Sequence, residues 1–167
     1  MTDFDALLST LGRHEVAFLL IGGAAAIAHG SARLTKDLDI VYDRAPANLD
    51  RLVAALAAHK PYPRGAPPGL PFLWDRPTLE RGLNFTLVTA LGDVDLLGEI
   101  PGGGNYQDLL PDSIELRIFE VRCRCLSLRQ LIRAKRATGR PKDLEALAEL
   151  EAIADESSAA PYPLTNS

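Results

Sequence analysis

The spacing of apolar residues along the chain predicts a domain that contains both helices and strands. Apolar residues that recur every three or four positions predict helices over 3–12, 24–29, 46–59, 127–138 and 141–154. Compact or alternating apolar runs predict strands over 16–21, 37–42, 84–89 and 93–97, with one or two more strands in 114–125.

Two stretches lack this patterning. Residues 61–77 hold six of the twelve prolines, which predicts an irregular loop. The segment from Asp155 onward is rich in Ser, Pro and Ala, which predicts a frayed end. With 167 residues in all, we expect one domain over residues 1–154 and a flexible tail over 155–167.

The composition argues against a membrane-spanning protein and against an exported one. Apolar residues make up 47% of the chain, yet no apolar run approaches the ~20 residues that cross a bilayer. The first residues are acidic, where a signal peptide would be basic. Cys123 and Cys125 form a C-x-C pair, for which we expect buried free thiols in a reducing cytosol. We therefore expect a cytoplasmic protein without a membrane partner.

Charge is unevenly distributed along the chain. The net charge is −4, with 18 basic and 22 acidic residues, which argues against a protein that coats nucleic acid. Between Arg122 and Lys142, however, there are eight basic residues and no acidic one. This segment is either a set of phosphate contacts or a solvated helix face.

Two glycines follow the first predicted strand. Gly22 and Gly23 come directly before a predicted helix, where backbone amides can bind an anion and glycine lets a phosphate approach closely. Taken alone, such a pair of glycines is more often just a turn.

Acidic residues alternate with apolar residues on two of the predicted strands. Asp37 and Asp39 lie on one face of their strand, and Asp95 lies on a second apolar strand. Adjacent carboxylates repel each other unless a cation lies between them, and oxygen ligands at this spacing suit Mg²⁺ or Mn²⁺. Three such carboxylates on neighbouring strands predict a two-metal phosphoryl-transfer site, whereas solvated acids at a sheet edge are the alternative. Asp93 could be the partner in place of Asp95, although its position favours the role of a residue that starts the strand.

These pieces, in this order, resemble the motif of the nucleotidyltransferase superfamily with a polymerase-beta-like fold. The motif runs from an apolar residue and two small residues, through a spacer, to acid–apolar–acid and then to a third acid between apolar residues. Here thirteen residues separate Gly23 from Asp37, and Asp95 is the third acid. The resemblance implies an α+β fold with a central mixed β-sheet flanked by helices and a C-terminal helical pair.

A closer resemblance covers about residues 16–150. The strings LIGGAAAIAHGSARLTKDLDIVY and GDVDLLGEIPGGGNY are similar to small bacterial nucleotidyltransferases related to the AbiEii and MenT toxins. That group also has a helix lysine followed by Arg-x-Lys-Asp, matched here by Lys135 and by the run 140–143. The resemblance implies metal ligation by Asp37, Asp39 and Asp95, with Lys135 as a further catalytic residue. It places the nucleotide at Gly22, Gly23, Arg33, Thr35, Lys36, Arg140, Lys142 and Asp143.

The residue pattern supports Lys135 independently. Lys135 lies on the same helix face as Leu128, Leu131 and Ile132, while the arginines of that helix share the opposite face. An ammonium group on an apolar face either points into a cleft or extends to water at the edge of the core. Asp143 likewise has an alternative role, since an acid in the first turn of a helix favours the helix dipole.

These observations predict a metal-dependent nucleotidyltransferase that moves a nucleoside monophosphate from a nucleoside triphosphate to an acceptor hydroxyl. The basic segment favours RNA, particularly tRNA, or a protein as the acceptor. The resemblance adds a toxin role and a cognate antitoxin as a partner. The alternatives are a non-catalytic nucleotide-binding or regulatory protein that keeps the fold, and an enzyme that modifies a small molecule such as an antibiotic.

Overall fold

The computed structural model describes residues 1–159. Within these residues the α-helices are α1 (Phe4–Arg13), α2 (Gly22–Ala28), α3 (Pro46–Leu56), α4 (Arg76–Arg81), α5 (Tyr106–Leu109), α6 (Leu128–Thr138) and α7 (Pro141–Ala159). The strands are β1 (Phe18–Ile21), β2 (Asp37–Tyr42), β3 (Tyr62–Pro63), β4 (Phe85–Thr89), β5 (Gly92–Leu97), β6 (Glu99–Ile100), β7 (Gly104–Asn105), β8 (Ile114–Ile118) and β9 (Val121–Cys125).

Seven of these strands form one mixed sheet in the order β3-β4-β5-β2-β1-β9-β8. The central strand β2 is antiparallel to β1 and parallel to β5. The predicted α+β fold, with a central mixed sheet flanked by helices, is therefore confirmed. Strands β6 and β7 form a separate two-stranded ribbon.

The alternation in β2 explains how one strand serves both the core and a polar site. Leu38 and Ile40 are fully buried, whereas Asp37 and Asp39 are only partly buried on the opposite face. The apolar faces of α1 and α3 join the same core, which is built mainly from leucine, isoleucine and valine. Burying the apolar positions of β2 fixes its register, because a slip by one residue would expose Leu38 and Ile40 and bury the acids.

The proline-rich segment is less irregular than the sequence predicts. Tyr62 and Pro63 form β3, which pairs with β4. Arg76 begins α4, where Asp75 accepts a hydrogen bond from the Thr78 backbone at 2.9 Å and so caps the helix. The intervening chain folds on itself, with Tyr62 and Phe72 in edge-to-face contact at 6.2 Å between ring centroids. A two-residue strand is too short to leave a periodic pattern, so the sequence could not reveal it.

The predicted C-terminal helical pair is present as α6 and α7. Ser127 and Gln130 form the expected capping box at the start of α6. Gly139 ends the helix with φ of 60°, a left-handed conformation that glycine adopts readily. Helix α7 continues to Ala159, five residues beyond the predicted end, and the rest of the predicted tail (160–167) lies outside the described residues.

Two further expectations concern the cysteines and the membrane. Cys123 and Cys125 are buried free thiols on β9. Burial raises the pKa of Cys123 to about 11 and that of Cys125 to about 12, so both stay protonated at neutral pH. In the described part of the chain, no helix combines the length and the apolar character needed to cross a bilayer.

Candidate active site

Three carboxylates meet at the centre of the sheet. In the parallel pairing of β2 with β5, Asp39 lies directly beside Asp95, and Asp37 lies beside Asp93. Asp37, Asp39 and Asp95 each offer one oxygen atom, and these atoms all lie within 4.8 Å of one another. The same-face argument from the sequence therefore places the three acids correctly.

The electrostatics of this carboxylate cluster favour a bound cation. Burial raises the pKa of Asp39 to about 7, and the neighbouring charges of Asp95 and Asp37 act in the same direction. Asp39 Oδ1 is buried and has no hydrogen-bond partner, whereas Asp95 Oδ1 is buried and has an ion-pair contact with Arg64 Nη2 at 2.9 Å but no hydrogen bond of good geometry. Converging carboxylates that repel one another, with the Asp39 oxygen unpartnered, are a donor set that Mg²⁺ or Mn²⁺ satisfies, so the residues present fit a divalent metal.

The glycine pair gives the cluster its close packing. Gly22 follows Ile21, the register partner of Asp39, and has φ of +64°. A Cβ atom at Gly22 would overlap Asp39 Oδ2, and one at Gly23 would lie 2.5 Å from Thr35 Oγ1. The glycines are therefore needed to seat these two side chains against the turn, a reason that the sequence argument did not include.

Lys135 faces the cleft, as its position on the helix predicts. Its side chain is 28% exposed, compared with 70% for Arg129 and 64% for Arg136 on the other face. Lys135 Nζ lies 3.2 Å from Asp143 Oδ1, and its charge acts to lower the pKa of Asp39. The ammonium group thus lies within electrostatic range of the carboxylate cluster.

Asp143 accepts hydrogen bonds from three side chains, among them that of Lys135. It is 2% exposed and accepts hydrogen bonds from Lys135, Thr138 and Arg140 at 3.2, 2.9 and 2.8 Å. Burial alone would raise the Asp143 pKa, but these three hydrogen bonds outweigh it and hold the pKa well below the ordinary value. Asp143 therefore stays ionised and orients Lys135 and Arg140.

A cleft of about 450 Å³ connects these features. Its lining extends from the carboxylate cluster to residues of α7, and it also includes Ser31 and Glu149. Its lining includes every residue that sequence reasoning assigned to the site except one: Gly22, Gly23, Arg33, Thr35, Asp37, Asp39, Asp95, Lys135, Arg140, Lys142 and Asp143. The exception is Lys36, which lines an adjacent pocket of about 590 Å³ together with Phe4 and Asp93.

Two of the predicted basic residues differ in their surroundings. Arg33 forms ion pairs with Glu145 at 3.4 Å and Glu149 at 3.8 Å, which tie the loop before β2 to α7. Lys142 is exposed at the cleft wall. Part of the Arg33 charge is thus already balanced within the protein, whereas Lys142 faces solvent at the cleft.

Arg64 is a site residue that sequence reasoning missed. It directly follows β3, and its backbone nitrogen donates to Thr86 O at 2.9 Å. Its guanidinium group lies 2.9 Å from Asp95, 3.4 Å from Asp93 and 3.6 Å from Asp37. A lone arginine in a proline-rich segment carries no pattern that points to a site, because a non-local strand pairing brings it there.

The outward arginines of α6 are largely paired with acids. Arg129 contacts Asp112 at 3.0 Å and Arg136 contacts Glu151 at 2.6 Å. The basic segment 122–142 is therefore less free to bind phosphates than its composition suggests.

Comparison with known proteins supports the fold. No family model and no curated protein matches this chain. Among solved structures, the chain is similar to the lincosamide antibiotic adenylyltransferase LnuA in its lincomycin-bound form, with 17% identity and a TM-score of 0.59 over 91% of this chain and 98% of that chain. It is also similar to a candidate nucleotidyltransferase from Thermotoga maritima, with 14% identity and a TM-score of 0.55 over 87% of this chain and 88% of that chain. The chain therefore has the nucleotidyltransferase fold.

Proposed function

We propose that this protein is a metal-dependent nucleotidyltransferase that moves a nucleoside monophosphate from a nucleoside triphosphate to an acceptor hydroxyl. The observation that carries the proposal is the convergence of Asp37, Asp39 and Asp95 at one end of a cleft lined by cationic side chains. The nucleotidyltransferase fold supports it.

In the proposed reaction, the acceptor hydroxyl forms a bond to the α-phosphorus and loses its proton, while the bond to the departing pyrophosphate breaks. Asp37, Asp39 and Asp95 would hold Mg²⁺ or Mn²⁺, which supplies charge neutralisation and orientation of the phosphates when bound. No covalent intermediate with the protein is required.

The cleft residues have distinct tasks in this proposal. Gly22 and Gly23 present backbone next to the triphosphate, and Arg140 and Lys142 bind its outer oxygens. Lys135, oriented by Asp143, stabilises the negative charge that develops on the departing pyrophosphate. Arg33, Thr35 and Lys36 belong to the loop that reaches the acids, and we propose that this loop borders the nucleotide.

For the acceptor, we propose RNA, particularly tRNA, or a protein, which the basic segment 122–142 favours. The resemblance to the AbiEii and MenT group underlies a proposed toxin role and a cognate antitoxin, and the composition underlies the proposed cytoplasmic location. A small-molecule acceptor is a second candidate, since LnuA is an antibiotic adenylyltransferase and its fold covers most of this chain. The adjacent pocket at Phe4 and Lys36, which shares Thr35 with the cleft, offers space for such a molecule.

A non-catalytic role is the weaker alternative. A binding protein that keeps the fold has no need for three mutually repelling carboxylates. Here all three are present and converge.

A labelled-nucleotide transfer assay tests the proposal. Each of the four α-labelled triphosphates is incubated with Mg²⁺, the protein, and total RNA, total protein or lincomycin. We expect label in one acceptor class with the wild type and with Asp5→Ala, which alters an exposed acid of α1, and none with Asp39→Ala. Transfer that survives in Asp39→Ala would contradict the proposal.

A further inference from the structure

We infer that Arg64 is the resident counterion of the carboxylate cluster and competes with divalent metal for it. The inference rests on the proposed function, because it takes Asp37, Asp39 and Asp95 as the metal ligands. It adds a residue that limits metal affinity and that leaves the cluster when metal enters.

The guanidinium group spans the acids of both strands. Nη2 lies 2.9 Å from Asp95 Oδ1, Nη1 lies 3.6 Å from Asp37 Oδ2, and Nε lies 3.4 Å from Asp93 Oδ2. A planar guanidinium with several donors suits such a set, because one delocalised charge reaches three carboxylates at once.

These contacts balance the negative charge of the acids, but their geometry leaves hydrogen-bonding groups of Arg64 and Asp95 unsatisfied. Arg64 Nε and Asp95 Oδ1 are both buried, and neither has a hydrogen-bond partner of proper geometry. Only Nη2 has a well-formed hydrogen bond among the described residues, which it donates to Leu87 O at 2.9 Å. Arg64 therefore fills the electrostatic role of a cation at the cluster, but it leaves Asp39 Oδ1 without a partner and gives Asp95 Oδ1 an ion pair without a well-formed hydrogen bond.

A metal ion and Arg64 repel each other electrostatically if both contact the carboxylate oxygens of Asp37 and Asp95. Asp37 and Asp95 belong to the convergent metal set, and both contact the guanidinium. A divalent ion bound there would place two positive charges within a few ångströms of a third, and such repulsion is strong in a partly buried site. Metal entry must therefore move Arg64 away from Asp37 and Asp95.

Asp93 can keep its contact with the Arg64 guanidinium group after a metal ion displaces that group from Asp37 and Asp95. It contacts Arg64 Nε but is not one of the three convergent ligands. The backbone of Arg64 remains tied to β4 through Thr86, so the guanidinium can swing toward Asp93 without unfolding the strand pair. We therefore assign to Asp93, whose role the sequence left open, the task of retaining the Arg64 side chain when metal is bound.

Calorimetric titration of Mn²⁺ alone, without nucleotide, tests the inference. Arg64→Gln removes the charge and keeps a polar side chain, so we expect Mn²⁺ to bind about tenfold tighter than in wild type. Metal-free Arg64→Gln should melt at a lower temperature than wild type, because the acids lose their counterion. Arg51→Gln removes an exposed arginine of α3 and the same net charge, and should change neither value appreciably.

Two further variants keep the outcome decisive. Arg64→Lys keeps the charge but reaches fewer acids, so its Mn²⁺ affinity should fall between wild type and Arg64→Gln. It replaces the glutamine variant if that protein does not fold. Unchanged or weaker Mn²⁺ binding in the Arg64 variants would overturn the inference and show that Arg64 supports the metal ligands instead. If Arg64→Gln bound Mn²⁺ no better than the double variant Arg64→Gln/Asp39→Ala, the metal site itself would fail, and the proposed function with it.

Discussion

Lys135 Nζ lies 3.2 Å from Asp143 Oδ1, and this contact joins α6 to α7 at the wall of the cleft. Because Asp143 is buried and also holds Arg140, the ammonium group is kept on the inner side of its helix. The charge of Lys135 therefore belongs to the cleft and not to the arginine-bearing outer face of α6.

The first prediction separates this lysine from the basic surface. Lys135→Ala should lower nucleotide transfer about 10²–10³-fold, because it removes a charge that the proposed function places beside the reacting phosphates. Arg129→Ala, on the outer face, should leave nucleotide binding nearly unchanged. Steady-state rates and melting curves of both variants check this. Equal, small losses of rate in the two proteins would show that the inner face has been misassigned.

The second prediction concerns Asp143 and pH. Asp143→Asn weakens three hydrogen bonds to a buried carboxylate and should lower the free energy of unfolding by about 1–3 kcal/mol at neutral pH. The folded state lowers the Asp143 pKa below its unfolded value of 3.8, so this stabilisation is present above that value and is lost as the pH falls below it. Urea unfolding at neutral pH and at about pH 3 measures the difference.

The control for that experiment is Asp5→Asn, which alters an exposed acid of α1. Its effect on stability should be small at both pH values. A gap between wild type and Asp143→Asn that stays constant on acidification would contradict the assigned ionisation of Asp143.

The third prediction uses two glycines as a matched pair. Gly22→Ala should destabilise the protein by at least ~1–2 kcal/mol from its positive φ alone, and overlap with the Asp39 carboxylate adds to this cost. It should also weaken metal binding. Gly12→Ala, within α1 and with open space around its Cβ position, should be neutral or stabilising by up to ~1 kcal/mol. Chemical denaturation checks both, and similar free energies for the two variants would argue against the close approach of Gly22 to Asp39.

The fourth prediction is that Asp39 destabilises the metal-free protein and is required for metal binding. Burial and the neighbouring acids make the ionised Asp39 unfavourable in the folded state, so Asp39→Asn should raise the melting temperature of the metal-free protein near neutral pH. The same variant should lose the rise in melting temperature that Mg²⁺ produces in wild type. Thermal melts with and without Mg²⁺ test both statements. A metal-free Asp39→Asn protein that melts below wild type would contradict the electrostatic account of the cluster.

The sequence predicts those parts of the site that depend on local periodicity. Alternation along β2 and β5 places Asp37, Asp39 and Asp95 on one face, and helical spacing places Lys135 on the inner face of α6. Both results need only the geometry of single elements.

The parts that the sequence could not predict depend on non-local contacts. Arg64 reaches the cluster because β3 pairs with β4, and a two-residue strand carries no period. The pairing of Arg33 with Glu145 and Glu149 requires the packing of α7 against the loop before β2. Lys36 was expected beside the nucleotide, yet it lines the neighbouring pocket, since a loop residue has no periodicity to set its direction.

The most direct test of the account is calorimetric titration of nucleotides, which needs no knowledge of the acceptor. Each of the four nucleoside triphosphates and the matching monophosphates is titrated into wild type and Asp39→Ala, with and without Mg²⁺. The account predicts that wild type binds at least one triphosphate much more tightly than its monophosphate, that this preference requires Mg²⁺, and that Asp39→Ala abolishes it. Equal affinity for triphosphate and monophosphate in wild type with Mg²⁺ would contradict a nucleotidyltransferase site at Asp37, Asp39 and Asp95.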